Sequence, residues 1–515
     1  MVDTKREIER KYEAAPDTKL PDLTKVSGVA GTLEQGVTEL DAVYYDTADL
    51  RLSAASITLR RRTGGADAGW HLKLPVAPDV RDEIHAPLSD EVPDEIAKLV
   101  TAHVRGADLV PVVRLRTARD VHHLVDEDGD LLAELSKDTV HAQRLAPGEL
   151  RTAAWDEIEV ELADGKDPAL LDAIDKKLRK AGIVRAASPS KLARALEETA
   201  PDEDSTEQQA SGKPAGPLVL PGSAGDYILG YAREQIEAIL AYDPAVRRDL
   251  PDAVHQMRVA TRRLRSAFKT YRKILDRSVT DPVGDELKWL AAELGVARDQ
   301  EVLAARLDTR IAAVPQTLLL GPVRARLQVW NASQGSDSRR RAVGALDSTR
   351  YLDLLDTLDA LLADPPLRKA AAGDPSDVLP KAITKDYERL AGRVEPALGM
   401  EPGEERDVAL HEARKAAKRA RYAGEAAKPA LGKPAKRFAK AMKNVQSLLG
   451  DHQDSVVARG TLRDLGIHAH AAGESAFTWG LLYGREESEA ADLERELPGV
   501  WSKAAKKDLR TALTG

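Results

Sequence analysis

The chain has 515 residues, too many for one core, and its 43% hydrophobic and 31% charged residues mark a globular protein of two or three domains. A formal net charge of -8 excludes the overall basic character of many nucleic-acid binders, so a polyanion site must come from local clusters of Lys and Arg. The absence of cysteine excludes disulfides, thiolate metal sites and a Cys nucleophile; the charged stretch Met1–Tyr12 does not read as a signal peptide, and no apolar run approaches the ~18 residues of a membrane helix, so a cytoplasmic location is expected.

The first 200 residues alternate with period two. Arg6–Tyr12, Ser56–Arg62, Trp70–Leu74, Leu131–Leu135 and Glu157–Leu162 read as strands, with Gly64-Gly65 and Asp128-Gly129 as hairpin turns. Helices are expected near Glu91–Val104 and Ala169–Ala181. Residues 201–224 are rich in Pro, Gly, Ser and acids, which is linker composition. From residue 225 to 515 the chain is Ala/Leu/Arg/Lys/Glu-rich with helical spacing, and eight to ten helices are expected. This half repeats itself. His255, Arg258, Arg262 and Arg265 recur as His411, Arg414, Lys418 and Arg421, and Leu294-Gly295 with Arg298-Asp299 recurs as Leu449-Gly450-Asp451 with Asp454.

Alternation places Glu7, Glu9 and Lys11 on one strand face, as it does Arg60 with Arg62, His71 with Lys73, Arg114 with Arg116, and Glu157 with Glu159 and Glu161. A solvated face with cross-strand ion pairs would explain any one of these strands. Several strands with segregated signs call for more. Buried charges are costly unless paired or metal-bound. A closed barrel solves this when its carboxylates hold a divalent cation and its Arg and Lys hold phosphate oxygens.

Glu7-x-Glu9-x-Lys11 resembles the ExExK signature of the CYTH family, the triphosphate tunnel metalloenzymes. Tyr44-Tyr45-Asp46-Thr47, Leu59-Arg60-Arg61-Arg62, Leu72-Lys73-Leu74-Pro75, Arg81-Asp82-Glu83, Arg116-Thr117-Ala118-Arg119 and Ser190-Lys191 continue the family order. The Gly65–Gly69 stretch reads as a variable loop. The resemblance implies an α+β fold with a closed antiparallel tunnel of about eight strands. It implies Mg2+ or Mn2+ on Glu7, Glu9, Asp138, Glu157, Glu159 and Glu161. It further implies a triphosphate on Lys11, Arg60, Arg62, Lys73, Arg81, Arg114, Arg116, Arg119 and Lys191. Glu7, Glu9 and Lys11 would serve catalysis.

On a helix, His255, Arg258, Arg262 and Arg265 fall on one stripe, and so do His411, Arg414, Lys418 and Arg421; Lys436 and Lys440 extend the second. Like charges at these spacings repel, and an anionic partner is the natural reason to cluster them. With Leu287–Leu290 and Ser348–Tyr351, these stretches resemble the CHAD domain, a conserved-histidine α-helical module, over residues 225–510. The resemblance implies two related bundles of about four helices, binding of inorganic polyphosphate and association with polyphosphate granules. The expected activity is hydrolysis of inorganic triphosphate in the tunnel. The alternatives are a polyphosphate-binding scaffold with a weak or sensory tunnel, or a tunnel acting on thiamine triphosphate or ATP. The acidic balance and the lack of aromatic-interleaved basic patches argue against nucleic acid.

Overall fold

The structure is a computed structural model. It describes residues 3–145, 150–200 and 219–514, without the side chains of residues 296–299 and 333–338. Most of the expected linker, residues 201–218, and the side chains of Arg298 and Asp299 therefore lie outside the described residues. The chain forms two compact units, Met1–Lys213 and Pro214–Gly515.

The first unit is an antiparallel ring of eight strands: β1 (Asp3–Ala14), β2 (Gly31–Asp46), β3 (Thr58–Thr63), β4 (Gly69–Ala77), β5 (Val80–Pro87), β6 (Val110–Val125), β7 (Leu131–Arg144) and β8 (Thr152–Leu162). Their order is β1-β5-β4-β3-β2-β6-β7-β8. β1 closes the ring by pairing β5 along Asp3–Ile8 and β8 along Glu9–Ala14.

Apolar side chains point outward, under helices. Leu59, Trp70, Leu72 and Ile84 pack with Leu52 of α1 (Arg51–Ala54) and with Ile96, Leu99 and Val100 of α2 (Asp94–Val104). On the other flank Leu135, Ile158 and Val160 pack with Leu171, Ile174 and Leu178 of α3 (Ala169–Lys180). Each such side chain contributes about 1.5–3 kcal/mol when buried, and these outer layers offset the cost of charge inside. At one end the interior turns apolar: Tyr44, Val113, Leu115 and Trp155 pack on Leu192 and Ala195 of α4 (Lys191–Glu198). That helix stoppers the end, and Ser190 caps its start by accepting from the Ala193 amide.

Gly69 of β4 permits a close approach between strands. A Cβ there would collide with the Ala86 carbonyl oxygen and His85 Nε2. Gly69→Ala is expected to destabilise the first unit by about 1–3 kcal/mol through overpacking, read as a lower midpoint in thermal denaturation.

The second unit is helical: α5 (Ala224–Arg247), α6 (Ala253–Thr270), α7 (Arg277–Glu293), α8 (Gly295–Ala312), α9 (Val323–Leu346), α10 (Thr349–Ala363), α11 (Pro375–Leu398), α12 (Glu404–Ala426), α13 (Lys428–Ala471), α14 (Phe477–Ala504) and α15 (Asp508–Thr511). That makes eleven helices among the described residues, against the eight to ten expected; α15 is a single turn, too short to leave a periodic pattern. α13 breaks its helical geometry at Gly432. The two repeats differ here. Leu294-Gly295 marks the joint between α7 and α8, whereas Leu449-Gly450 lies within α13, past its break at Gly432. No helix among the described residues is long and apolar enough to cross a membrane.

Candidate functional site

Strand alternation turns one charged residue in two toward the middle of the ring. There they line a cavity of ≈ 450 Å³. Of the residues expected from sequence, Glu7, Glu9, Lys11, Arg60, Arg62, Lys73, Arg81, Arg119, Glu159, Glu161 and Lys191 line it.

The signs are segregated. β3 and β4 bring Arg60, Arg62 and Lys73, and β5 sets Glu83 against them: Arg60 Nη2 and Lys73 Nζ both lie 3.6 Å from Glu83 Oε1. β7 and β8 bring Asp138, Glu157 and Glu159, each with an oxygen within 4.8 Å of the other two, and all three are buried. β1 runs between the two camps, with Glu7 bonded to Lys73 Nζ at 2.5 Å and Lys11 bonded to both Glu9 and Glu159.

Lys191, at the start of α4, binds the acidic trio. Its Nζ lies 2.9 Å from Asp138, 2.6 Å from Glu157 and 2.6 Å from Glu159. Burial works against its charge, yet the three carboxylates hold the ammonium above its ordinary range. Glu159 also accepts from Arg119 Nη2 at 2.6 Å. Burial disfavours its charge, but Lys11, Lys191 and Arg119 outweigh that and keep it ionised well below the usual carboxylate range. Trp155 Nε1 donates to Glu157 Oε2 at 2.7 Å and fixes that side chain.

Three buried hard-oxygen donors converging around one cation fit the chemistry of Mg2+ or Mn2+. The six carboxylates expected to bind metal do not form one set. Glu7 sits with Lys73 and Glu83, Glu9 with Lys11, and Glu161 with Lys5 at 2.5 Å.

Arg114 and Arg116 are a correction. They do not line the cavity. Their strand also carries Arg119, an odd number of residues away, so 114 and 116 share the face opposite 119. Arg114 Nη2 pairs with Asp41 at 2.5 Å, and Arg116, 65% exposed, lies beside the same carboxylate at 3.7 Å. Glu83 and His71, in turn, belong to the lining and were not singled out as site residues. The signal was present: Arg81-x-Glu83-x-His85 alternates like the other strands.

The Glu7 carboxyl titrates near neutrality. Burial raises it, Lys73 pulls it down, and the neighbouring Glu83 raises it again, to about 7. Burial also opposes charge on Glu83, but Lys73, His71 and Arg60 keep it ionised, so the proton between the two resides on Glu7. A carboxyl raised in the folded state adds stability below its unfolded pKa and loses it as pH rises toward about 7. Glu83 acts in a separate window, below the ordinary carboxylate pKa. Wild type is therefore expected to lose thermal stability relative to Glu7→Gln as pH rises from about 5 to about 7.5 in metal-free buffer. A pH-independent difference would refute this.

In the second unit, α6 and α12 pack together and carry the two basic stripes. Arg258, buried, donates from Nη1 to the Gly295 carbonyl at 3.2 Å, and a Cβ on Gly295 would lie 3.0 Å from its Nη2. Arg414 takes the same place beside Gly450, whose Cβ would lie 3.5 Å from Nη2. Equivalent arginines of the two repeats thus rest on equivalent glycines. Lys418 is pushed down to about 7, by burial first and then by Arg414, Arg262 and Arg258, with Asp454 opposing. His411 is also lowered, by burial and by Lys415. His255, Arg262 and Arg265 are half-buried on α6, Arg421 is bonded to Glu425 at 2.6 Å and to Gln446 at 3.1 Å, and Lys436 and Lys440 are exposed on α13.

Residues 5–196 match the CYTH domain family, and residues 230–463 match the CHAD domain family. The chain belongs to the proteins that join a CYTH domain to a CHAD domain. An uncharacterised protein of Mycobacterium tuberculosis (strain CDC 1551 / Oshkosh) is 40% identical over 507 residues, which cover 95% of this chain and 94% of the relative. Among solved structures, PptA from Streptomyces chartreusis is 22% identical, covers 54% of this chain and 99% of its own, and has a TM-score of 0.45. The CHAD domain from the plant Ricinus communis is 27% identical over 55% of this chain and 94% of its own, with a TM-score of 0.44.

Proposed function

We propose that the CYTH ring is a tunnel in which inorganic triphosphate is hydrolysed with Mg2+ or Mn2+, and that the CHAD unit, two related bundles, binds inorganic polyphosphate. The observation that carries the reading is the segregation about one cavity: Arg60, Arg62 and Lys73 line one wall and Glu159 another, with Asp138 and Glu157 buried beside Glu159. The cations bind and orient phosphate oxygens, and Arg60 with Arg62 offers planar forks that suit them. A metal held by the trio would neutralise phosphoryl charge and lower the pKa of bound water. Glu7, titrating near 7, is matched to take a proton from attacking water at neutral pH. Lys11, bonded to Glu9 and Glu159, positions the chain between the two camps. Positioning and electrostatics supply most of the acceleration in such reactions.

The stripes of α6 and α12 form the polyphosphate surface, and Lys436 and Lys440 extend it. Residues 1–200, 201–224 and 225–515 are the catalytic domain, linker and binding domain of a cytoplasmic enzyme that resides at polyphosphate. The test is phosphate release by the whole chain from inorganic triphosphate, long-chain polyphosphate, ATP and thiamine triphosphate, each with Mg2+ and Mn2+. Triphosphate is expected to be the best substrate. Metal-independent release, or none, removes the catalytic reading. Polyphosphate binding that does not weaken with salt removes the other.

A further inference from the structure

The turn between β3 and β4, residues 64–68, carries no motif, yet its one charged residue makes two contacts with the ring. The Asp67 carboxylate forms an ion pair with Arg62 Nη2. Its main-chain carbonyl lies within hydrogen-bond distance of His71 Nε2, at 2.9 Å. His71 is buried, and its other ring nitrogen lies 3.0 Å from Glu83 Oε1. The backbone of the turn is thereby tethered to the wall. The carboxylate itself is 56% exposed and lines the cavity. Arg62 is only 7% exposed and lies on the same strand face as Arg60. A buried guanidinium left without an anion is costly. Asp67 supplies that anion from the protein itself.

We propose that Asp67 is an internal competitor of the phosphate chain: its carboxylate occupies the donor face of Arg62 that a terminal phosphate group takes on binding, and entry of the chain displaces it. The inference rests on the reading of the ring as a triphosphate site. A carboxylate brings one charge to Arg62, whereas a phosphate group brings more charge and more oxygens. A longer chain also engages Arg60, Lys73 and Lys191 and gains enough to displace Asp67. An anion that reaches Arg62 alone does not. Asp67 thus sets a charge threshold that favours triphosphate over orthophosphate, and its return helps expel product.

The test is isothermal titration of the full chain with inorganic triphosphate in EDTA, at fixed ionic strength, for wild type, Asp67→Asn, Arg62→Gln and the double variant. Asn keeps the main-chain carbonyl and the shape of the turn. The CHAD unit contributes equally to all four, so differences report the ring. Asp67→Asn is expected to bind about two- to fivefold more tightly, the scale of a partly exposed ion pair, and the gain should vanish when Arg62 is absent. If Arg62→Gln does not fold, Arg62→Met replaces it, since Met fills the buried site without a charge. Unchanged or weaker binding by Asp67→Asn, beside a binding wild type, overturns the competitor role alone. An equal gain with and without Arg62 also overturns it, because that is a general charge effect. A wild type in which the ring variants change nothing and triphosphate does not bind overturns the underlying reading.

Discussion

Glu159→Gln is expected to lower triphosphate hydrolysis by about 10²–10³-fold, the usual cost of removing one preorganised charge from a transition-state site. Glu159 is the point where the two camps meet. It accepts from Lys11, from Arg119 and from Lys191, and it is one of the three carboxylates that converge on β7 and β8. Gln keeps the volume and removes the charge. The trio then loses a third of its negative charge, so divalent-ion affinity falls, and three cations lose a shared partner. Breaking a buried pair costs about 3–5 kcal/mol when nothing else compensates; here Asp138, Glu157 and Glu9 still face the same cations, so a folded protein with a lower melting midpoint is expected. Glu161→Gln is the control. Glu161 lies on the same strand face but pairs with Lys5, and its side chain is 26% exposed. It is expected to lose about tenfold, the low end for a group just outside a metal's ligands. Phosphate release and divalent-ion titration of both variants read this out. Equal, small losses in the two would remove the trio as the metal site.

The sequence made the strand half legible because period-two charge is a local signal. Glu7, Glu9 and Lys11, or Arg60 and Arg62, are separated by two residues, so a shared face follows from the backbone alone. The same rule, applied strictly, separates Arg119 from Arg114 and Arg116; grouping all three followed a motif and not the alternation. What depends on distant chain segments was not legible. Lys191 reaches Asp138 and Glu157 from a short helix whose eight residues leave little periodic trace. The contact of Asp67 with Arg62 joins a turn to a strand wall, and nothing in a Gly- and Ala-rich turn announces it. In the helical half the recurrence of His, Arg and Gly was plain. That Arg258 and Arg414 rest on Gly295 and Gly450 required helix packing to appear.

Long-chain polyphosphate binding is expected to weaken as pH rises above about 7, by at most about tenfold per pH unit. The reason lies in Lys418. Burial and the nearby Arg414, Arg262 and Arg258 bring its ammonium down to about 7, so at higher pH the free protein carries a neutral amine there. A bound polyanion cancels the repulsion of the arginines and favours the charged form, so its pKa rises in the complex. Binding then takes up a proton whenever the pH lies between the free and bound values. Below about 7 Lys418 is already charged and no proton is taken up, so affinity levels off. Long chains keep the ligand's own end groups a minor contribution. Lys418→Arg should flatten the profile, because a guanidinium stays charged throughout this range. It should also raise affinity most at the alkaline end, where wild type has lost the charge. Lys418→Met should flatten the profile too, but at the weak limit, since it never gains the charge. Proton uptake measured in buffers of different ionisation enthalpy gives a second reading of the same coupling, approaching one proton per site for wild type and none for either variant. A wild-type profile flat between about pH 6.5 and 8.5 would show that Lys418 does not face the bound chain.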